Sequence, residues 1–102
     1  MAAGRIDDIL DDYHEDALLI IPDATFKGHA GIRSMFEGSL KGLFKPGTYE
    51  LTMDTLRVEG DVAYIVWHAK CSSADVPYGT DTFVVRDGKI TVQTFAAKID
   101  PR

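Results

Sequence analysis

Cysteine is almost absent. Cys71 stands alone among 102 residues, so no internal disulfide can form, and a reducing, cytoplasmic compartment fits that usage. Basic residues are also scarce: eleven Lys and Arg face sixteen Asp and Glu, for a formal net charge of −5. No basic cluster interleaves with aromatics, which argues against a phosphate-binding surface and against nucleic acid as a partner. No apolar run is long enough to cross a bilayer, so no membrane partner is expected. The opening residues, Met1-Ala2-Ala3-Gly4-Arg5, lack the apolar core of a signal peptide. His14, His29 and His68 lie on separate segments, and neither His-x-x-His nor Cys-x-x-Cys spacing occurs, so neither a metal nor a cofactor is expected.

What is present suits one small domain over residues 1–102, with 45% hydrophobic residues to fill a single core. From Gly4 to Asp16, Ile6, Ile9, Leu10 and Tyr13 recur at helical spacing, while six acids fill the outer positions as a solvated face. Leu18 to Ile21 reads as a short strand stopped by Pro22-Asp23, with Thr25-Phe26 pairing back on it. A second helix runs from Gly28 to about Gly42 on the stripe Ile32, Met35, Phe36, Leu40 and Leu43. Lys45-Pro46-Gly47 follows its end.

Thereafter the chain turns to strands. Tyr49, Leu51 and Met53 alternate with polar residues, and Leu56 and Val58 then shift phase, which predicts a bulge and a bend. Glu59-Gly60-Asp61 makes a turn, and Val62 to Cys71 is apolar on both faces, as in a central strand. Ser72 to Pro77 reads as a polar loop, Lys89 to Ala97 as the last strand, and Ile99 to Arg102 as a tail.

The most informative stretch is Gly79 to Ile90. Asp87-Gly88 between two alternating runs is a strong hairpin signal, because both residues tolerate the positive φ of tight hairpin turns. On its first arm Asp81, Phe83 and Val85 share a face. A carboxyl group among apolar neighbours must be neutral, paired or functional. Two helices followed by a bent antiparallel meander predict an α+β fold, with helices on one face of a strongly curved, mainly antiparallel sheet. Such a cone-shaped α+β barrel commonly holds a small ligand at its mouth.

The order of these elements resembles the nuclear-transport-factor-like superfamily, in its SnoaL-like and ketosteroid-isomerase-like branch. Three matches carry the resemblance. Ile6-Asp7-Asp8-Ile9-Leu10, then Tyr13-His14-Glu15-Asp16-Ala17 and Ile21-Pro22, is similar to the family's acidic helix, aromatic-x-x-Asp-Ala step and proline-ended first strand. Gly28 to Arg33 resembles the start of the following helix, and Asp81 to Ile90 the terminal hairpin. In ketosteroid isomerase a general-base aspartate, a tyrosine and a protonated aspartate surround an enolisable ketone. The resemblance puts Asp81 at the protonated aspartate and Ile21 at the base, where an isoleucine cannot abstract a proton. It begins at the family's second helix, so the tyrosine has no counterpart. An exposed apolar patch where that helix would lie invites a partner or ligand, and relatives pair through the outer sheet face, so a homodimer is expected.

Asp81 is the first candidate for proton transfer, against the alternative of a carboxylate merely bonded to neighbouring strands. His68 is the second, placed by the resemblance on a cavity-facing side with Tyr64 and Val66. The alternatives are a core histidine, and a bulge that turns Trp67 inward instead. For Gln93 and Phe95 the register decides. A strict two-residue turn sets Asp81 opposite Thr94, whereas a three-residue turn with Gly88 in a bulge brings Gln93 and Phe95 beside Asp81, as the resemblance implies. Tyr13, Ile21, Met35, Phe36, Trp67 and Phe83 complete the expected pocket wall. Three readings stay open: a proton-transfer enzyme acting on a small apolar, carbonyl-bearing compound through Asp81 and His68, a non-catalytic ligand-binding or dimerisation module, and a remnant or fragment whose start lies upstream.

Overall fold

The computed structural model describes residues 2–42, 44–45 and 47–101, with backbone alone for residues 2–5 and 40. The expected places of Leu43 and Pro46, and of the Leu40 side chain, lie outside what is described. Among the described residues two helices, α1 (Ala2–Leu10) and α2 (Gly28–Lys41), accompany six strands: β1 (Tyr13–Ile21), β2 (Ala24–Lys27), β3 (Tyr49–Glu59), β4 (Val62–Cys71), β5 (Ala74–Arg86) and β6 (Lys89–Pro101). The strands form one sheet in the order β2-β1-β6-β5-β4-β3. Every neighbouring pair is antiparallel except β1 with β6, which is parallel. The α+β architecture expected from the patterning is therefore present, with a mixed, mainly antiparallel sheet.

Helix α2 packs on β1 and β2 and against α1. Ile6 and Leu10 of α1, Ile32 of α2, and Tyr13, Ala17 and Leu19 of β1 form the buried cluster between them. This burial, rather than intrinsic propensity, holds a nine-residue helix that would be marginal alone. A second cluster unites Trp67, Ala69 and Cys71 of β4 with Val76 of β5. Phe44, just beyond α2, covers it edge-on to Trp67, with ring centroids 5.8 Å apart.

Three sequence expectations need correction. Helix α1 stops at Leu10, and Tyr13 to Asp16 belong to β1. The Ile90 N–H donates to the Asp12 carbonyl at 2.8 Å, and Tyr13 pairs with Ile90. Long-range pairing thus overrides a helical spacing that continued by coincidence. Ser72 to Pro77 is not a loop: β5 begins at Ala74 and pairs with Pro101, so Ile99 to Pro101 of the expected tail are strand as well, and Arg102 lies outside the described residues. Only Ser72 and Ser73 bend.

The predicted phase shift in β3 is a bulge between Met53 and Thr55, which leaves Asp54 extra. The hairpin turn contains Asp87 at φ 52° and Gly88 at φ 77°, the double positive φ of a two-residue turn. Arg86 pairs with Lys89, as that turn requires. A bulge follows on β6: Val85 pairs with Ile90 but Val84 with Val92, so Thr91 is the extra residue. Its hydroxyl donates to the Val84 carbonyl at 3.1 Å, satisfying a group the bulge strands. From there the register puts Asp81 opposite Phe95 and Phe83 opposite Gln93.

Candidate functional site

Between the two clusters lies a cavity of about 500 Å³, within the range of roughly 300–1,000 Å³ usual for small-molecule sites. The helices contribute Ile9, Met35, Phe36 and Ser39, the α2–β3 connection Phe44, and the sheet Tyr49, Leu51, Ile65, Trp67, Asp81, Gln93, Phe95 and Ile99. Strand alternation explains the sheet's share. Ile65 and Trp67 point inward on β4, Asp81 lies opposite Ile65, and Phe95 lies opposite Asp81.

Asp81 is only 7% exposed, and both carboxyl oxygens accept hydrogen bonds. Trp67 Nε1 donates to Oδ1 at 2.8 Å, and Gln93 Nε2 donates to Oδ2 at 2.7 Å. The Tyr13 hydroxyl in turn donates to Gln93 Oε1. A continuous polar chain therefore links β1, β6, β5 and β4 beneath an otherwise apolar wall. Burial raises the Asp81 pKa above its ordinary 3.8, and the two N–H donors oppose that rise by favouring the anion. Burial also drives the Tyr13 hydroxyl well above its ordinary 10.0, with the negative charges of Asp81 and Asp12 adding to it.

The Tyr13 shift has a consequence for stability. A phenol whose folded pKa exceeds its unfolded value contributes stability that is complete below pH 10 and is lost as pH rises toward the folded value. We expect the wild-type urea midpoint to fall more steeply than that of Tyr13→Phe from about pH 9 to about pH 11.5. The difference in slope is bounded by roughly 1.4 kcal/mol per pH unit. Parallel curves in a two-state urea titration would refute it.

Of the expected site residues, Asp81, Trp67, Gln93, Phe95, Met35 and Phe36 line this cavity. Tyr13 sits behind Gln93 and reaches the site only through it. Ile21 and Phe83 are outside the cavity lining. Tyr64, Val66 and His68 require correction, because they occupy the opposite face of β4 from Ile65 and Trp67. The His68 side chain is 43% exposed, and its Nδ1 lies 2.7 Å from Asp54 Oδ2. The extra residue of the β3 bulge thus holds the histidine outside, and it cannot share a ligand atom with Asp81. Sequence reasoning passed over Ile9, Phe44, Tyr49, Leu51, Ile65 and Ile99 as lining residues. Ile65 was legible as the i−2 neighbour of Trp67, whereas Phe44 arrives from a connection with no periodicity. Among the described residues, no three His, Cys, Asp or Glu side chains gather as a metal site.

A family profile described as a SnoaL-like domain matches residues 1–93. No protein of curated function matches the sequence. Among solved structures, the chain is similar to a candidate isomerase of the SnoaL-like family from Agrobacterium tumefaciens strain C58. The TM-score is 0.77 at 21% identity over 96% of this chain and 84% of that one. It is similar to a candidate polyketide cyclase from Sinorhizobium meliloti, with TM-score 0.76 at 19% identity over 92% and 84%. It also resembles TerC, which was co-crystallised with polyporic acid, with TM-score 0.75 at 22% identity over 95% and 82%. At these identities the likenesses establish the fold, and the profile match across most of the chain places this protein in the SnoaL-like domain family.

Proposed function

We propose that this protein binds a small, mainly apolar, carbonyl-bearing molecule in the cavity and that Asp81 exchanges a proton with it. The observation that carries the reading is a carboxyl group 7% exposed at the wall of an apolar cavity, its pKa raised by burial. A carboxylate with a raised pKa is a stronger base than one in water, and that suits removal of a proton beside a carbonyl. Asp81 acts without His68, which faces away. The similarity to a candidate polyketide cyclase and to TerC, co-crystallised with polyporic acid, supports a small-molecule ligand.

The test is deuterium wash-in at the α-carbon of 2-tetralone, a fused aromatic ketone, followed by proton NMR in heavy water. Wild-type protein is expected to accelerate exchange, and Asp81→Asn to lower that acceleration roughly 10²–10⁴-fold. Equal acceleration by both proteins overturns the reading. If neither accelerates exchange yet chemical shifts at Trp67 saturate with ligand, the site is a binding module.

Association with a second copy belongs to the same proposal. Val62, Tyr64 and Tyr78 are exposed apolar residues on β4 and β5, and Tyr64 projects from the face opposite the cavity. Exposed apolar side chains on the sheet face opposite the cavity favour an interface. Light scattering is expected to give twice the monomer mass for wild type and the monomer mass for Tyr64→Glu. A monomeric wild type at high micromolar concentration would exclude the dimer.

A further inference from the structure

Gln93 joins Tyr13 to Asp81, and the chemistry of its amide makes that link directional. One end of the amide only accepts, and the other only donates. In the observed arrangement the phenol donates to Oε1, so the amide N–H must face Asp81. Trp67 Nε1, which can only donate, faces the other carboxyl oxygen. Both oxygens therefore accept hydrogen bonds from neighbours. The reversed amide would need a neutral Asp81 donating to Oε1 and would turn the amide N–H toward the phenol oxygen. Among the described residues the Tyr13 hydroxyl has no other side-chain partner, so its proton would then be buried without an acceptor. A donor left unsatisfied in the interior costs roughly 1–3 kcal/mol.

We propose that Tyr13 is a positioning residue which, by fixing the Gln93 amide, holds Asp81 as an acceptor, so that the cavity takes apolar ligands presenting a hydrogen-bond donor or an acidic C–H at that point. This reverses the role suggested by family resemblance, in which the corresponding aspartate is the neutral donor. It rests on the reading that Asp81 meets the ligand.

Among the described residues nothing else nearby offers the same control. The α1 and α2 walls present Ile9, Met35 and Phe36, with Ser39 as their hydroxyl, and no cation is among the described lining residues. Tyr49 faces the cavity from β3, and Asp12 acts on Tyr13 rather than on the cavity. The Trp67 bond is independent of the Tyr13 proton. The polarity of the chain is therefore set from its β1 end.

The experiment follows the Asp81 side-chain carbon by NMR across a pH titration of ligand-free protein labelled at aspartate. Wild type, Tyr13→Phe, Gln93→Met and the double variant form a cycle. Tyr13→Phe is expected to raise the Asp81 midpoint by about one unit in the wild-type background and to leave it unmoved in the Gln93→Met background. A merely structural role would shift both backgrounds alike or neither, and either result overturns the proposal. Should Tyr13→Phe fail to fold, protein labelled with 3-fluorotyrosine in a Tyr49→Phe background replaces it. The more acidic phenol is then expected to lower the Asp81 midpoint, and an unchanged midpoint overturns the proposal.

The ligand class is tested with 2-naphthol against 2-methoxynaphthalene. The naphthol is expected to bind at least several-fold tighter at neutral pH and to lose that advantage in Asp81→Asn. Equal affinity for wild type overturns the acceptor assignment. The titration needs neither ligand nor turnover. A coupled titration without deuterium exchange therefore removes the catalytic reading alone, and exchange without coupling removes this one alone.

Discussion

Gly79→Ala is expected to lower stability by about 2–4 kcal/mol and to red-shift the emission of the single tryptophan. A methyl group at position 79 would come 2.9 Å from Trp67 Cδ2 and closer still to Cε2 and Cζ2. Gly79 pairs with Trp67 across β5 and β4, so the indole lies flat over the bare glycine backbone. It has little room to retreat. Phe95 is stacked at 6.0 Å, and Phe44 stands edge-on to the same ring. Displacing the indole also withdraws Nε1 from Asp81 and leaves a buried carboxyl with one donor in place of two. The measurement is a urea titration monitored by tryptophan emission. Wild-type stability with unshifted emission would show that the close approach is not required.

Leu19→Ala is expected to cost about 2–5 kcal/mol, or roughly 10–30 °C in melting temperature for a chain of this size. Leu19 is fully buried, packs in the cluster with Ile32, and sits opposite Gln93 in the parallel β1–β6 ladder. Its loss opens space beneath the amide that the site depends on, so site geometry and stability should fall together. Ile20 is the internal control. It is the next residue on the same strand, points to the other face and is 39% exposed. Ile20→Ala is expected to cost under about 1 kcal/mol. Similar melting temperatures for the two variants, measured by calorimetry, would mean that the register of β1 is wrong.

Much of this architecture could be read from local pattern. The stripe Ile32, Met35 and Phe36 marked α2, and Asp87-Gly88 marked the final turn, because helical period and positive φ are properties of short segments. The phase shift after Met53 marked the bulge in β3 for the same reason. The prominence of Asp81 was equally visible as an acid on an apolar strand face.

The placement of site residues was a different matter. Strand β4 carries Tyr64 and Val66 on one face and Ile65 and Trp67 on the other, so alternation exists without a hydrophobic phase to say which side is inside. His68 was misplaced for that reason. Gln93 and Phe95 came beside Asp81 through an extra residue at Thr91, three positions beyond Gly88, where no sequence signal announced it. Tyr13 passed from helix to strand because Ile90, far along the chain, captured it. Periodicities and turns are local free energies, and the residues concerned carry them wherever they are. Facing and register arise when strands distant in the chain share hydrogen bonds, as Tyr13 and Gln93 do across 80 positions, and that information exists only once the sheet has closed.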